Sequence, residues 1–242
     1  MPRFPLPHEP DDQGQVILSG PDATHIAGSL RLRAGDRLPA SRPGRLLELE
    51  ITHASSSEIA ATVLYDVPEP APPRVDLTLL VALPKKRLME SIIEKASEIG
   101  VRALQPVIAE RCIAKLEGER SEARLAKWRR VAEESQKQCG RTVPLIVEPP
   151  LPLEHAVRGD WMRLYVLHES AKAPLTSGDA PSEGGIAALI GPEGGLSPAE
   201  VRLAGHAGGL VRRLNTNILK VDTAASVAAA ILIAAPWSGG AR

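Results

Sequence analysis

Ile190-Gly-Pro-Glu-Gly-Gly-Leu-Ser-Pro-Ala-Glu200 turns an apolar run, Ala187–Ile190, into a glycine-rich bend and then opens a helix. Ser197 reads as the N-cap, Pro198 as the first helical residue and Glu200 as the third, a capping box with proline in its favoured slot. The bend therefore lies between a strand end and a helix start. Glycines there let a ligand approach the backbone closely. On open α/β sheets this is where nucleotide-like ligands bind. G-x-x-x-x-G-K-[ST] and G-x-G-x-x-G are both absent, so no phosphate cradle is indicated. A tight structural turn would leave the same trace.

Outward from this stretch the chain alternates strand and helix. Val75–Leu83 is a near-continuous apolar run, as a strand buried on both faces requires. Lys86–Ile99 has Leu88, Ile92, Ile93, Ala96 and Ile99 at helical spacing and ends at Gly100. Ala103–Ala109 is a strand. Ser121–Gln138 is an amphipathic helix with Leu125, Trp128, Val131 and Ala132 inward. Leu145–Val147, Leu164–Leu167 and Leu210–Leu214 are further strands. A last helix spans about Thr223–Ala235, and its small apolar residues imply burial in a core or against a partner subunit. Pro68-Glu-Pro-Ala-Pro-Pro73 is a stiff linker. Before it, Gln15–Leu18, Arg45–Ile51 and Glu58–Tyr65 read as short strands, and no helix longer than Ala23–Leu32 fits. Two domains follow: a β-rich one over 1–70 and an α/β one over 74–242.

Three more segments carry polar chemistry. Leu214-Asn-Thr-Asn-Ile-Leu-Lys-Val-Asp-Thr-Ala-Ala225 links a strand to the last helix, which Asp222 or Thr223 can cap. Lys85, Lys86 and Arg87 crowd the start of a helix, the wrong end for the helix dipole, which suggests contact with an anion such as RNA phosphate. Glu94, Lys95 and Glu98 share one side of that helix, where i,i+4 pairing accounts for them as well. Arg111 follows a strand end in Ala109-Glu-Arg-Cys112, and Arg141 follows a helix end in Gln136-Lys-Gln-Cys-Gly-Arg141. Either suits RNA phosphate or a substrate base. Arg141 equally suits the helix C-terminus, and His168 reads as a surface histidine or as a lining of the sheet edge.

Composition narrows the field. Aromatic residues are 2% of 242, so Leu, Val, Ile and Ala build the core. Cys112 and Cys139 make neither a disulfide framework nor a zinc site, and reduced thiols in a cytoplasmic protein are expected. MPRFPLPHEPDD has no apolar stretch of a signal peptide, and Ala224–Ala235 is too short to span a bilayer. Net charge is zero, yet 1–72 carry 6 Lys+Arg against 10 Asp+Glu, and 84–141 carry 14 against 9. That basic bias permits nucleic-acid contact without requiring it. No metal site and no membrane association are expected.

Taken in order, KKRLMESIIEKASEIGV, ER, KQCGR, IGPEGG and LNTNILKVDTA resemble the 16S rRNA (uracil-N3) methyltransferases of the SPOUT class. That family's pattern looks like K-x-x-x-M-E-x-x-I-x-K-x-x-E-L-G-V, E-R, E-Q-x-G-R, I-G-P-E-G-G and L-G-x-x-I-L-R-x-E-T-A. MPRF, Ala23-Thr-His-Ile26 and Leu30-Arg-Leu-Arg33 are similar to its first domain. The resemblance implies a PUA-like β-barrel, a trefoil-knotted α/β domain and a homodimer through the knot. It implies S-adenosylmethionine held by Leu167, His168, Ile190, Gly191, Pro192, Glu193, Gly194, Gly195, Leu196, Leu214, Asn215, Asn217, Ile218 and Leu219. It implies 16S rRNA or the small ribosomal subunit as partner, met by Arg3, His25, Arg31, Lys85, Lys86 and Arg87. Asn215, Lys220, Val221 and Asp222 depart from the family pattern, and Lys220 keeps a charge while losing the bidentate fork of arginine. Ser41-Arg-Pro-Gly-Arg45 replaces a D-G turn.

Neutral uracil N3–H is a poor nucleophile, so a base must take its proton or cations must stabilise the ring anion. Arg111 or Arg141, with Lys95, is the expected stabiliser, and Glu94 the expected base. Three rivals remain: a knotted methyltransferase acting on another RNA, an RNA-binding module whose altered polar loop holds the donor weakly, and a general nucleotide-binding protein that ATP would protect.

Overall fold

The computed structural model describes residues 1–68, 73, 75–85, 88–112, 119–214 and 217–233. Contacts divide the chain into two units, Met1–Ala71 with Gln136–Val143, and Pro72–Ser135 with Pro144–Arg242. The excursion of Gln136–Val143 into the first unit departs from the expected boundary at the proline linker. Its causes are local: Arg3 N–H donates to the Lys137 carbonyl (2.7 Å), and Lys137 Nζ meets Asp22 Oδ1 at 2.6 Å.

The first unit comprises β1 (Phe4–Pro5), β2 (Gln15–Ser19), α1 (Pro21–Thr24), β3 (Arg37–Arg42), β4 (Arg45–Ala54) and β5 (Glu58–Val67). Its sheet runs β1-β3-β4-β5-β2, with β1 parallel to β3 and the other pairs antiparallel. Strand alternation turns Val16, Leu18, Leu47, Leu49, Ile51 and Ile59 into a core with Phe4 and Ile26. Register shifts at Glu48/Leu49 and Ile51/His53 bend β4 against β5. The helix expected over Ala23–Leu32 is one α-turn followed by a π-turn, His25–Ser29. Gly28 and Ser29 are weak helix formers at the point where it stops. Pro43-Gly44 turns β3 into β4, with Gly44 at φ +74°.

The second unit comprises β6 (Val75–Ala82), α2 (Leu88–Ile99), β7 (Ala103–Ile108), most of α3 (Glu119–Cys139), β8 (Ile146–Val147), β9 (Leu151–Pro152), α4 (Leu153–Ala156), β10 (Arg163–Leu167), β11 (Gly184–Ile190), α5 (Pro198–His206), β12 (Leu210–Arg212) and α6 (Val221–Ile233). Every strand pair is parallel, in the order β12-β10-β11-β6-β7-β8, and β9 also pairs with β7. Period-2 alternation splits the sheet's side chains between two layers. Leu77, Leu79 and Val81 pack with α2, α6 and Trp128 of α3, while Leu80, Ala82, Leu164 and Val166 pack with α4 and α5. Helices on both faces are what a parallel sheet needs.

Three expectations are corrected. The last helix begins at Val221, so Asp222 lies in its first turn and is not its cap. Its carboxylate is instead committed to Lys95 (2.9 Å), and this also replaces the i,i+4 pairing expected for that lysine. The last strand stops at Arg212, because Arg213 forms an isolated bridge with Pro174. Residues 86–87 and 234–235 of the expected helices lie outside the described residues.

Candidate functional site

Three neighbouring strands, β12, β10 and β11, end on one edge of the sheet, and the loops leaving them line a cleft of about 940 Å³. β10 delivers Leu167, His168 and Glu169. β11 delivers Ile190 and the glycine bend Gly191–Leu196. β12 delivers Arg213 and Leu214, followed by Asn217, Ile218, Leu219 and Lys220. Leu88 at the head of α2 and Val221 and Ala224 at the head of α6 add apolar wall. Every residue expected to hold the methyl donor lines this cleft, apart from Asn215, which lies outside the described residues. The volume matches ordinary small-molecule sites.

The glycine bend is tied down from both sides. Gly195 N–H donates to the Pro192 carbonyl (2.8 Å) with Gly195 at φ +70°. A Cβ at Gly191 would lie 3.0 Å from the Leu196 nitrogen, so only glycine passes there freely. Ser197 and Glu200 form the expected capping box, with Pro198 at its first position. The other oxygen of Glu200 accepts the Glu110 N–H at 2.7 Å, so one side chain serves both the helix start and the exit of β7. Arg111, next in the chain, donates Nη1 to the Gly194 carbonyl (2.7 Å), and Glu193 Oε1 accepts the Lys85 N–H (2.8 Å). The exits of β6 and β7 thereby grip the bend.

The segment after β10 is gripped from the other side. His168 N–H donates to the Arg212 carbonyl, Leu175 N–H to the Arg213 carbonyl, and Arg213 N–H to the Ala173 carbonyl. The Arg212 guanidinium meets Asp179 at 2.9 Å, and the Tyr165 hydroxyl donates to the Asp179 carbonyl. Burial alone would raise the Asp179 carboxyl, but hydrogen bonds from Thr176 and Arg212 outweigh it and hold it below the usual range. His168 Nδ1 accepts the Ser170 N–H and lies 2.7 Å from the Ser170 hydroxyl, so a neutral ring carries its proton on Nε2.

The other expected residues fall elsewhere. Glu94 is exposed on α2 and does not line the cleft. It stands six residues beyond Leu88, about 9 Å along the axis and on another face. Arg141 follows Gly140 in the turn after α3, where Gln136 Nε2 donates to its carbonyl, and it groups with the first unit. Arg3, His25 and Arg31 also belong to that unit; His25 leans on Phe4, and Arg31 holds φ +57°. Lys85 is exposed, and Lys86 and Arg87 lie outside the described residues. Sequence reasoning did not place Leu88, Arg213, Lys220, Val221 and Ala224 among the donor-binding residues. Arg213 was the legible one, since adjacent Arg212 and Arg213 at a strand end must point to opposite faces. Among the described residues no group of three His, Cys, Asp or Glu is arranged to hold a metal, and no helix is long and apolar enough to cross a membrane.

A parallel sheet flanked by helices, with a loop-lined cleft at its carboxyl edge, marks an α/β enzyme, and residues 71–233 match the RNA methyltransferase domain family. The ribosomal RNA small subunit methyltransferase E of Mycobacterium bovis is 32% identical over 90% of this chain and 86% of its own length. The Bacillus subtilis protein of that name is 26% identical over 86% and 85%. The Neisseria gonorrhoeae ribosomal RNA small subunit methyltransferase E bound to S-adenosyl methionine superposes with a TM-score of 0.85 at 27% identity, over 95% of each chain. A putative methyltransferase of Legionella pneumophila in complex with the same cofactor gives 0.85 at 26%, over 95% and 96%. The chain belongs to the ribosomal RNA small subunit methyltransferase E family.

Proposed function

We propose that this chain methylates N3 of a uridine in 16S ribosomal RNA, using S-adenosylmethionine. One observation carries the reading: the three strand exits that the sequence marks as donor loops converge on a single cleft. The residues present fit such a donor. Gly191 and Gly195 keep backbone accessible, Leu88, Ile218 and Ala224 offer apolar contact, and Asn217 offers polar contact. When bound, the donor supplies a methyl group on a sulfonium.

The chain's own contribution is then positioning and proton management. If N3 takes the methyl group of a bound donor, its proton would pass to a base or to solvent while charge builds on the uracil oxygens. Arg111 and Arg141 are assigned to that charge, and Arg111 is supported by its attachment to the glycine bend. The loops interleaved at the exits of β10 and β12 support a trefoil knot, and the bent five-stranded sheet supports a PUA-like RNA-binding domain carrying Arg3, His25 and Arg31. A homodimer through the knot and a cytoplasmic setting complete the reading, with the 16S rRNA or small subunit as partner.

The test is mapping. Ribosomal RNA from cells lacking the gene, digested and read by mass spectrometry, should lack one N3-methyluridine, and purified chain with donor should restore it. A full complement of methylated uridine without the gene overturns the proposal, and a lost mark elsewhere redirects it to another RNA.

A further inference from the structure

Resting on that reading, we infer that Arg213 is the residue of this chain that recognises the carboxylate of the donor's amino-acid arm. The inference starts from strand geometry. Arg212 and Arg213 are adjacent at the end of β12 and point to opposite faces. Arg212 is spent on structure, its guanidinium on Asp179 at 2.9 Å. Arg213 faces the cleft, is exposed, and its side chain has no hydrogen-bond or ion-pair partner among the described residues. Its backbone is nevertheless fixed, with N–H on the Ala173 carbonyl (3.0 Å) and carbonyl accepting Leu175 N–H (2.8 Å). A pinned backbone carrying an uncommitted guanidinium inside a ligand cleft is a preorganised anion receptor.

The other charges in the cleft sharpen the assignment. Glu193 is engaged with Lys85 N–H. Glu169 lies 3.8 Å from His168 Nε2 and is available to a cationic group. Lys220, at the head of α6, is the second lining cation. A cleft with two cations and an exposed carboxylate suits a zwitterion, which is what an α-amino acid arm is. A carboxylate takes two parallel N–H donors, and only arginine presents that fork. Lys220 offers a point charge without that geometry, so in this chain Arg213 supplies the fork.

Calorimetric titration of the full-length chain and of Arg213→Ala tests this with four ligands. S-adenosylmethionine and S-adenosylhomocysteine carry the carboxylate. Decarboxylated S-adenosylmethionine and 5′-methylthioadenosine lack it. The variant should bind the first pair about tenfold or more weaker and the second pair as the parent does, and Arg213→Lys should recover only part of the loss. Equal weakening of all four ligands, or none of any, overturns the inference. Unchanged ligand affinity with weaker RNA binding also overturns it and reassigns Arg213 to phosphate. A parent chain that binds none of the four sinks the methyl-donor reading itself, a different failure from the variant's.

Discussion

Lys95 Nζ stands 2.9 Å from Asp222 Oδ2, and this pair ties the middle of α2 to the first turn of α6. The same turn of α6 presents Val221 and Ala224 to the cleft, and α2 presents Leu88. The pair therefore braces two walls of the site from behind. The hydrogen bond from Lys95 holds the Asp222 carboxyl below the usual carboxylate range, against the opposing effect of burial. An acid in the first turn also suits the positive end of the helix dipole.

The sign of the pH dependence follows. A carboxyl whose folded-state pKa is depressed stabilises the fold above its unfolded value, about 3.9. That contribution is lost as pH falls through the lower folded value. Lys95 is 42% exposed, so solvent screens the pair. Asp222→Ala should cost about 1 kcal/mol at pH 7, read from urea unfolding, and the gap from the parent should close progressively below about pH 4. A gap of constant size from pH 7 to pH 3 would show that the carboxylate is not what stabilises.

Glu200 is a stronger test of the glycine bend's support. It is 9% exposed, and its two oxygens accept N–H groups from Ser197 and Glu110, each at 2.7 Å. Glu200→Ala leaves two donors without partners and should cost about 2–3 kcal/mol in chemical unfolding. Glu200→Gln can keep one of the two bonds and should recover roughly half of that. Because the bend is anchored through this residue, the alanine variant should also bind S-adenosylmethionine more weakly than its stability loss alone explains.

Much of this is legible in the sequence, for identifiable reasons. Val75–Leu83 reads as a doubly buried strand because both faces need apolar residues, and Leu79 and Leu80 do pack into opposite layers. Ser197, Pro198 and Glu200 are legible because capping is local chemistry. β3 is not, since Arg37-Leu-Pro-Ala-Ser-Arg42 has no β-branched residue and is held by pairing with β4. Lys95 looks as if it needs only its own helix, because its partner lies 127 residues away. The grouping of Gln136–Val143 with the first unit depends on Arg3 and Asp22, which no spacing rule connects to Lys137. In the cleft, the strand exits announce themselves through glycine and asparagine, whereas Leu88 and Ala224 look like any helical core residue.

The two glycines of the bend should fail differently. Gly195 has φ +70° with open space where a Cβ would go, so Gly195→Ala bears backbone strain alone, about 1–2 kcal/mol. Gly191 has ordinary φ but would drive a Cβ to 3.0 Å from the Leu196 nitrogen and Cγ. Gly191→Ala should therefore displace the wall of the cleft. Donor affinity should fall further in Gly191→Ala than in Gly195→Ala, measured by titration at a temperature where both variants are folded. Equal losses would indicate that the bend tolerates a shift at Leu196.

Arg111 is where positioning and chemistry meet. Its Nη1 grips the Gly194 carbonyl while its side chain stays exposed, leaving other guanidinium donors for substrate. If it only steadies the bend, Arg111→Ala raises the Kd for S-adenosylmethionine and leaves single-turnover methylation normal once donor is saturating. If it also stabilises the uracil anion, the saturated rate falls by about a hundredfold or more, the scale of losing one charge-stabilising donor. The second outcome is expected. Glu94→Gln should leave the rate near that of the parent, because Glu94 lies off the cleft. A normal saturated rate in Arg111→Ala would remove it from the chemistry and leave the Nε2 side of His168 as the next group to change.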